Sequence, residues 1–195
     1  MFKIITAQAA LLGGTIKQDD LLRLTEWLEW EGQAKYQSLT LIVTSFEGNI
    51  NVEAIQAMLN TNVHVHIAHI AGSASATIAL AGTTRSITAG GEMVFHGLRL
   101  GDIDRSQQLE ALRIEYMKSI AYTKASPFHV DKVMTADYMA GGNVRLSAEK
   151  LREYGFVSSI LDLGPDERCW HGNDTAYYYY KEHLKKIGEH FNVGK

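Results

Sequence analysis

The chain has one cysteine, Cys169, and only two prolines, Pro127 and Pro165, in 195 residues. A lone cysteine excludes an intrachain disulfide and leaves a cytoplasmic setting as the default expectation. Charge of one sign is also lacking: 19 basic and 22 acidic residues leave a net charge of −3, so nothing electrostatic argues for nucleic acid as a partner. No apolar run reaches the roughly 18 residues that a membrane-spanning helix needs. The opening MFKIITAQAALLGG carries one lysine and is interrupted by Thr6 and Gln8, so it reads as a first strand rather than a signal peptide. Neither GxGxxG nor GxxxxGK followed by Ser or Thr occurs, so the chain carries no nucleotide-driven motor of its own. What remains is an ordinary globular composition, 46% hydrophobic and 21% charged, at a length that suits one well-filled domain.

The hydrophobic pattern along the first half alternates between strand and helix. Ile4–Leu12 reads as a strand ending at Gly13-Gly14. Asp19 or Asp20 is placed to cap a helix whose Leu21, Leu24, Trp27 and Leu28 share a face. The run 39–44, LTLIVT, has the continuous apolar character of a strand buried on both sides. A turn at 45–49 and a short helix with Val52, Ile55 and Leu59 inward follow. Strand–helix repetition of this kind predicts an α/β fold with crossover connections.

The stretch from Val63 to His96 organises the rest. A β-branched run, 63–67, leads into AGSASA at 71–76, and an apolar helix then stops at Gly82. Small residues around a serine at a strand-to-helix junction permit a sharp turn and the close approach of a substrate. A helix beginning there directs free N–H groups and its positive dipole end at whatever lies over the serine, which suits a developing oxyanion. A second β-like run, Met93-Val94-Phe95, then delivers His96 immediately before a glycine. A hydroxyl at a helix start and an imidazole at a strand end are two parts of a serine hydrolase.

At these residues the sequence resembles the proteolytic-subunit family of Clp proteases, ClpP-like serine peptidases of the crotonase-type fold. The run from His69 to Ala76 is similar to the family's G-x-A-x-S-small-small-small nucleophile pattern apart from its first Gly, and Gly82 falls where the pattern has its next glycine. Val94-Phe95-His96 matches the hydrophobic-hydrophobic-His stretch. Leu146-Ser147-Ala148-Glu149, the run 153–157 and Ile160-Leu161 resemble the closing helix and strand. The resemblance covers roughly residues 10–162. It implies a ClpP/crotonase-like ββα superhelix with a protruding handle helix, which would be the helix that the stripe of Leu109, Leu112, Tyr116 and Ile120 predicts over 103–124; a second helix reads over 128–140. Residues 1–162 would form the peptidase domain. Residues 163–195, with four successive tyrosines at 177–180, would form a partly helical extension docked on the same or a neighbouring subunit.

By the same resemblance Ser73 is the nucleophile, His96 the general base, and Asn143 stands where the family has its triad aspartate, with Asp137 as a substitute acid. Glu47 and Gly48, in a turn that reads Ser-Pro-Gly-Gly in the family, join Ala74 as the oxyanion hole. Heptameric rings, stacked in pairs, would enclose unfolded or short peptides as substrates, with a separate ATPase as partner and no cofactor. Simpler readings stand beside each residue. Ser73 fits an ordinary helix N-cap, with Ser75 the alternative nucleophile, and Gly48 fits a plain turn. His64 and His66, on one face of a strand with His69 close by, have the spacing of metal ligands but also of histidines held by their neighbours. Two further functions remain open: a ring subunit that has lost its triad acid, and an acyl-CoA enzyme of crotonase type.

Overall fold

The computed structural model describes residues 1–32, 38–49, 51–96 and 143–162. The expected helices over 103–124 and 128–140, Asp137 and the extension 163–195 lie outside the described residues. In chain order the elements are β1 (Phe2–Thr6), β2 (Ala9–Gly13), α1 (Gln18–Gly32), β3 (Leu39–Ser45), α2 (Val52–Asn60), β4 (Val63–Gly72), α3 (Ala74–Ala81), β5 (Thr84–Thr88), β6 (Glu92–His96), β7 (Asn143–Ser147), α4 (Ala148–Glu153) and β8 (Ser159–Leu161). The strands form one mixed eight-stranded sheet, ordered β1-β2-β3-β4-β5-β8, with β6 joined to β4 and β7. The fold is therefore α/β, as the strand–helix alternation predicts.

The long β4 determines where the sheet divides. Its first half, His64–Ile67, pairs in parallel with Thr84–Ile87 of β5, and its last three residues pair in parallel with Glu92–Val94 of β6. Between the halves the register with β3 slips: Val43 faces Ile67, but Ser45 faces Ala71. Extra residues in one strand bend it and increase its twist, and here they carry the end of β4 away from β5 towards β6. On the first half's core side, Leu41, Val43, Val65, Ile67 and Ile87 are fully buried with Leu24 and Leu28 of α1, Ile55 and Met58 of α2, and Ile78 and Leu80 of α3. Each such side chain contributes roughly 1.5–3 kcal/mol.

Several local expectations change. The single strand over Ile4–Leu12 is an antiparallel hairpin, with Phe2 opposite Leu12 and Thr6 opposite Ala9; its turn is closed by the Gln8 N–H donating to Thr6 Oγ1. The α1 face of Leu21, Leu24, Trp27 and Leu28 is buried as read, but neither aspartate is the N-cap. Asp20 lies in the first turn, and its carboxylate accepts from the Lys17 N–H at 2.9 Å and from the Phe2 N–H at 2.6 Å, the back-reaching half of a capping box that also ties β1 to α1. In α2 the inward residues are Ala54, Ile55 and Met58, whereas Leu59 is exposed. Strands β5 and β7 are additions to the expected set. No helix among the described residues is long and apolar enough to cross a membrane.

Arg85 of β5 is buried, and its guanidinium donates to backbone oxygens. Its Nε donates to Phe156 O at 2.5 Å, and Nη1 donates to Gly82 O at 2.7 Å and Leu80 O at 3.4 Å. Burial pushes the guanidinium down to about 10. The negative end of α3 and a planar fork of donors offset that cost, joining the end of α3 to the loop before β8. Replacing Arg85 by Met should cost about 2–4 kcal/mol by stranding these carbonyls, and Arg85→Lys should recover little of it. Urea unfolding at constant m-value would measure both.

Burial alone would raise the Asp20 carboxyl, but the Lys17 N–H, the Met1 ammonium and the Phe2 N–H outweigh it and hold it below its ordinary range. A carboxyl depressed in the fold stabilises above its unfolded pKa, and that contribution is lost as pH falls through the folded value. Acid unfolding of Asp20→Asn, compared with the parent, should therefore show a shallower loss of stability below about pH 4.

Candidate functional site

The backbone at Ser73 is the most unusual feature of the described chain. Its φ of 55° and ψ of −121° make it the only non-glycine residue with positive φ among the described residues. That conformation is the first central position of a type II′ turn, ordinarily taken by glycine, and holding a serine there costs of order 1–3 kcal/mol. The turn lies between the last residue of β4 and the first of α3. Ser73 donates its N–H to Val94 O of β6 at 2.9 Å, and its own carbonyl accepts from Ala76 and Thr77. The residue occupies the N-cap position of α3, but its side chain makes no capping hydrogen bond, so the ordinary cap reading does not hold. Ser73 is half-buried and Gly72 buried.

Glycine is required at 72 by crowding: a Cβ there would sit 2.8 Å from Phe46 O and 3.2 Å from Phe46 Cδ2. The turn after β3 is thus pressed against the residue before Ser73. The joint is completed by Ser75, fully buried. Its Oγ accepts from the Gly72 N–H at 2.9 Å, and Ser45 O at 2.6 Å and Gly72 O at 2.8 Å share its single proton. Ser75 is therefore a structural serine and does not serve as the alternative nucleophile.

His96 ends β6, and in the antiparallel β6–β7 pair it stands directly opposite Asn143. Since the Ser73 N–H is bonded to Val94 O, two residues before His96, the topology gathers Ser73, His96 and Asn143 at adjoining ends of β4, β6 and β7. Asn143 is exposed.

The turn proposed as one side of an oxyanion hole is anchored on its far side. Ile16 N–H donates to Glu47 O at 3.1 Å, Asn49 N–H donates to Ile16 O at 2.8 Å, and Ser45 Oγ reaches Gly14 O at 2.5 Å. The Glu47 carboxylate accepts from Thr15 Oγ1 at 2.9 Å, which commits the acid to the Thr15 side of the turn. Gly48 has φ 142°, and a Cβ on it would meet Ile16 at 2.5 Å. Ala74 and Ser75 supply the first N–H groups of α3, which have no carbonyl within the helix to bond.

His64 and His66 prove to be knitted to β5. The His64 ring nitrogens lie 2.8 Å from Thr84 Oγ1 and 2.8 Å from Ser86 Oγ. Those of His66 lie 2.9 Å from Ser86 Oγ and 3.1 Å from Thr88 Oγ1. These hydroxyls account for the alternating histidines, and no group of three or more metal-ligating side chains occurs among the described residues. Two participants escaped the sequence reading. Phe46 and Arg145, far apart in the chain, meet beside Gly72, and neither belongs to a spacing pattern that would have drawn attention to it.

No protein-family model and no curated protein matches the chain.

If Ser73 is held in its turn against its own preference, Ser73→Gly should raise stability by about 1 kcal/mol through relief of strain, whereas Ser73→Ala should not. Thermal unfolding of the two variants beside the parent distinguishes them.

Proposed function

We propose that this protein is a serine hydrolase of ClpP-like type that cleaves peptide bonds through an acyl-enzyme on Ser73. The observation that carries the reading is the strained, uncapped serine at a strand-to-helix turn. A positive φ on a serine is expensive, and such strain persists where a nucleophile must stand clear of its own backbone. His96 takes the Ser73 proton as general base while Oγ bonds to the carbonyl carbon, and gives that proton to the leaving amine as the tetrahedral intermediate collapses and the C–N bond breaks; water, deprotonated by His96 in turn, attacks the acyl-enzyme to release the acid and return the proton to Ser73. The Ala74 N–H and the Glu47–Gly48 turn receive the oxyanion. Asn143, opposite His96 on β7, orients the imidazole through its amide oxygen.

The proposal extends to assembly and setting: a cytoplasmic homo-oligomeric ring with a handle helix, acting on unfolded or short peptides, with a separate ATPase to feed it. The asparagine favours a second reading, a slow or inactive ring subunit. An amide brings no charge to stabilise the imidazolium, and in the serine-protease template Asp→Asn costs about 10⁴ in kcat.

Labelling with a fluorophosphonate tests both. Wild type should label, Ser73→Ala should not, and Asn143→Asp should label at least about tenfold faster as the imidazolium gains a counter-charge. Absence of labelling from wild type and Asn143→Asp alike would exclude the hydrolase and leave the inactive subunit.

A further inference from the structure

The site-facing side of the turn after β3 is held differently from its far side. Phe46 is 42% exposed, yet its carbonyl and ring edge are pressed on Gly72. Over that ring lies the Arg145 guanidinium of β7, its carbon 5.8 Å from the ring centroid. The same guanidinium donates from Nη1 to Glu92 Oε1 of β6 at 2.5 Å. In the β6–β7 ladder Arg145 stands opposite Val94, the residue whose carbonyl receives the Ser73 N–H, and Glu92 is its diagonal neighbour. One side chain thus spans from the strand of Asn143 to the strand of His96 and to the turn of Glu47 and Gly48.

We propose that Arg145 is a positioning residue for the oxyanion turn, acting through Phe46 and held in place by Glu92. The inference rests on the hydrolase reading, since it assigns the turn a task in acyl transfer. The physical case is one of placement rather than stability. The Arg145 and Glu92 side chains are 56% and 28% exposed, and exposed ion pairs and cation–π contacts add little to folding. What they do here is restrict the turn. Phe46, Glu47, Gly48 and Asn49 are all exposed. The hydrogen bonds to Gly14, Thr15 and Ile16 fix the turn from behind, while the Phe46 ring between Gly72 and the guanidinium fixes it beside Ser73. An oxyanion donor displaced from its place loses most of its effect, because the benefit depends on donors already aimed where charge develops. A planar guanidinium suits this double contact, lying flat on a ring while its edge meets a carboxylate; an ammonium is a point charge and does not.

The test uses the full chain and a fluorophosphonate probe, whose phosphonyl oxygen takes the place of the oxyanion. The inactivation constant is separated into probe affinity and maximal rate. Arg145→Gln and Phe46→Leu should each lower the maximal rate about tenfold or more with affinity unchanged, and Phe46→Leu, which removes no charge, should also leave the pH midpoint of labelling unchanged. Phe46→Trp, which keeps a ring under the guanidinium, should restore the rate, and Arg145→Lys should restore it only in part. The double variant should be no slower than the slower single one, as expected for residues acting as one unit. Wild-type rates in both single variants, losses in affinity alone, or losses that multiply in the double variant would overturn the inference while leaving the hydrolase intact. Failure of wild type and Asn143→Asp alike to label would overturn both; if only Asn143→Asp labels, the same variants are compared on that background. If Arg145→Gln does not fold, the contrast between Phe46→Leu and Phe46→Trp decides.

Discussion

The hydroxyl of Ser75 is the contact on which the site's geometry depends. Buried at the first turn of α3, it holds the end of β3 through Ser45 O and the end of β4 through both polar groups of Gly72. With those three points fixed, the chain passes into α3 through the single residue left between Gly72 and the helix, and Ser73 takes its positive φ there. Polar groups in a dry interior are worth most when they are satisfied, and the Ser75 hydroxyl both accepts and donates.

The divided sheet supplies the second constraint. A strand that pairs with β5 along its first half and with β6 along its last residues cannot stay flat, and the slip between Val43–Ile67 and Ser45–Ala71 is where it turns. That turn brings β6, and with it β7, to the side of Ser73. Residues far apart in the chain, Ser73, His96 and Asn143, become neighbours through strand register alone.

The local elements around Ser73 were legible because their signals are local: a β-branched run, small residues, an apolar helix and a glycine stop. The hairpin at the start was not, because its turn, Thr6-Ala7-Gln8, has no Gly, Asn or Pro and is closed by a threonine hydroxyl. Strand β5 was missed for a different reason. Its sequence, TRSIT, looks like surface, yet Arg85, Ser86 and Thr88 are buried, their polar atoms spent on carbonyls and histidines. Pattern reading treats polar as wet, and here tertiary partners override it. The opposition of Asn143 to His96 depends on long-range register, and the meeting of Phe46 with Arg145 on packing. Neither leaves a periodic trace in the sequence.

The histidine pair on β4 has a consequence for proton bookkeeping. Ser86 carries one proton and lies between His64 Nε2 and His66 Nδ1; with that proton aimed at one of the two nitrogens, the other nitrogen donates to the serine. For two neutral rings this forces the same tautomer on both: either each bears its proton on Nε2, or each on Nδ1, with Thr84 and Thr88 at the ends turning their hydroxyls to match. Two residues on a strand and three hydroxyls on the next therefore behave as a single group with one direction, and reversing any one of its hydrogen bonds reverses them all.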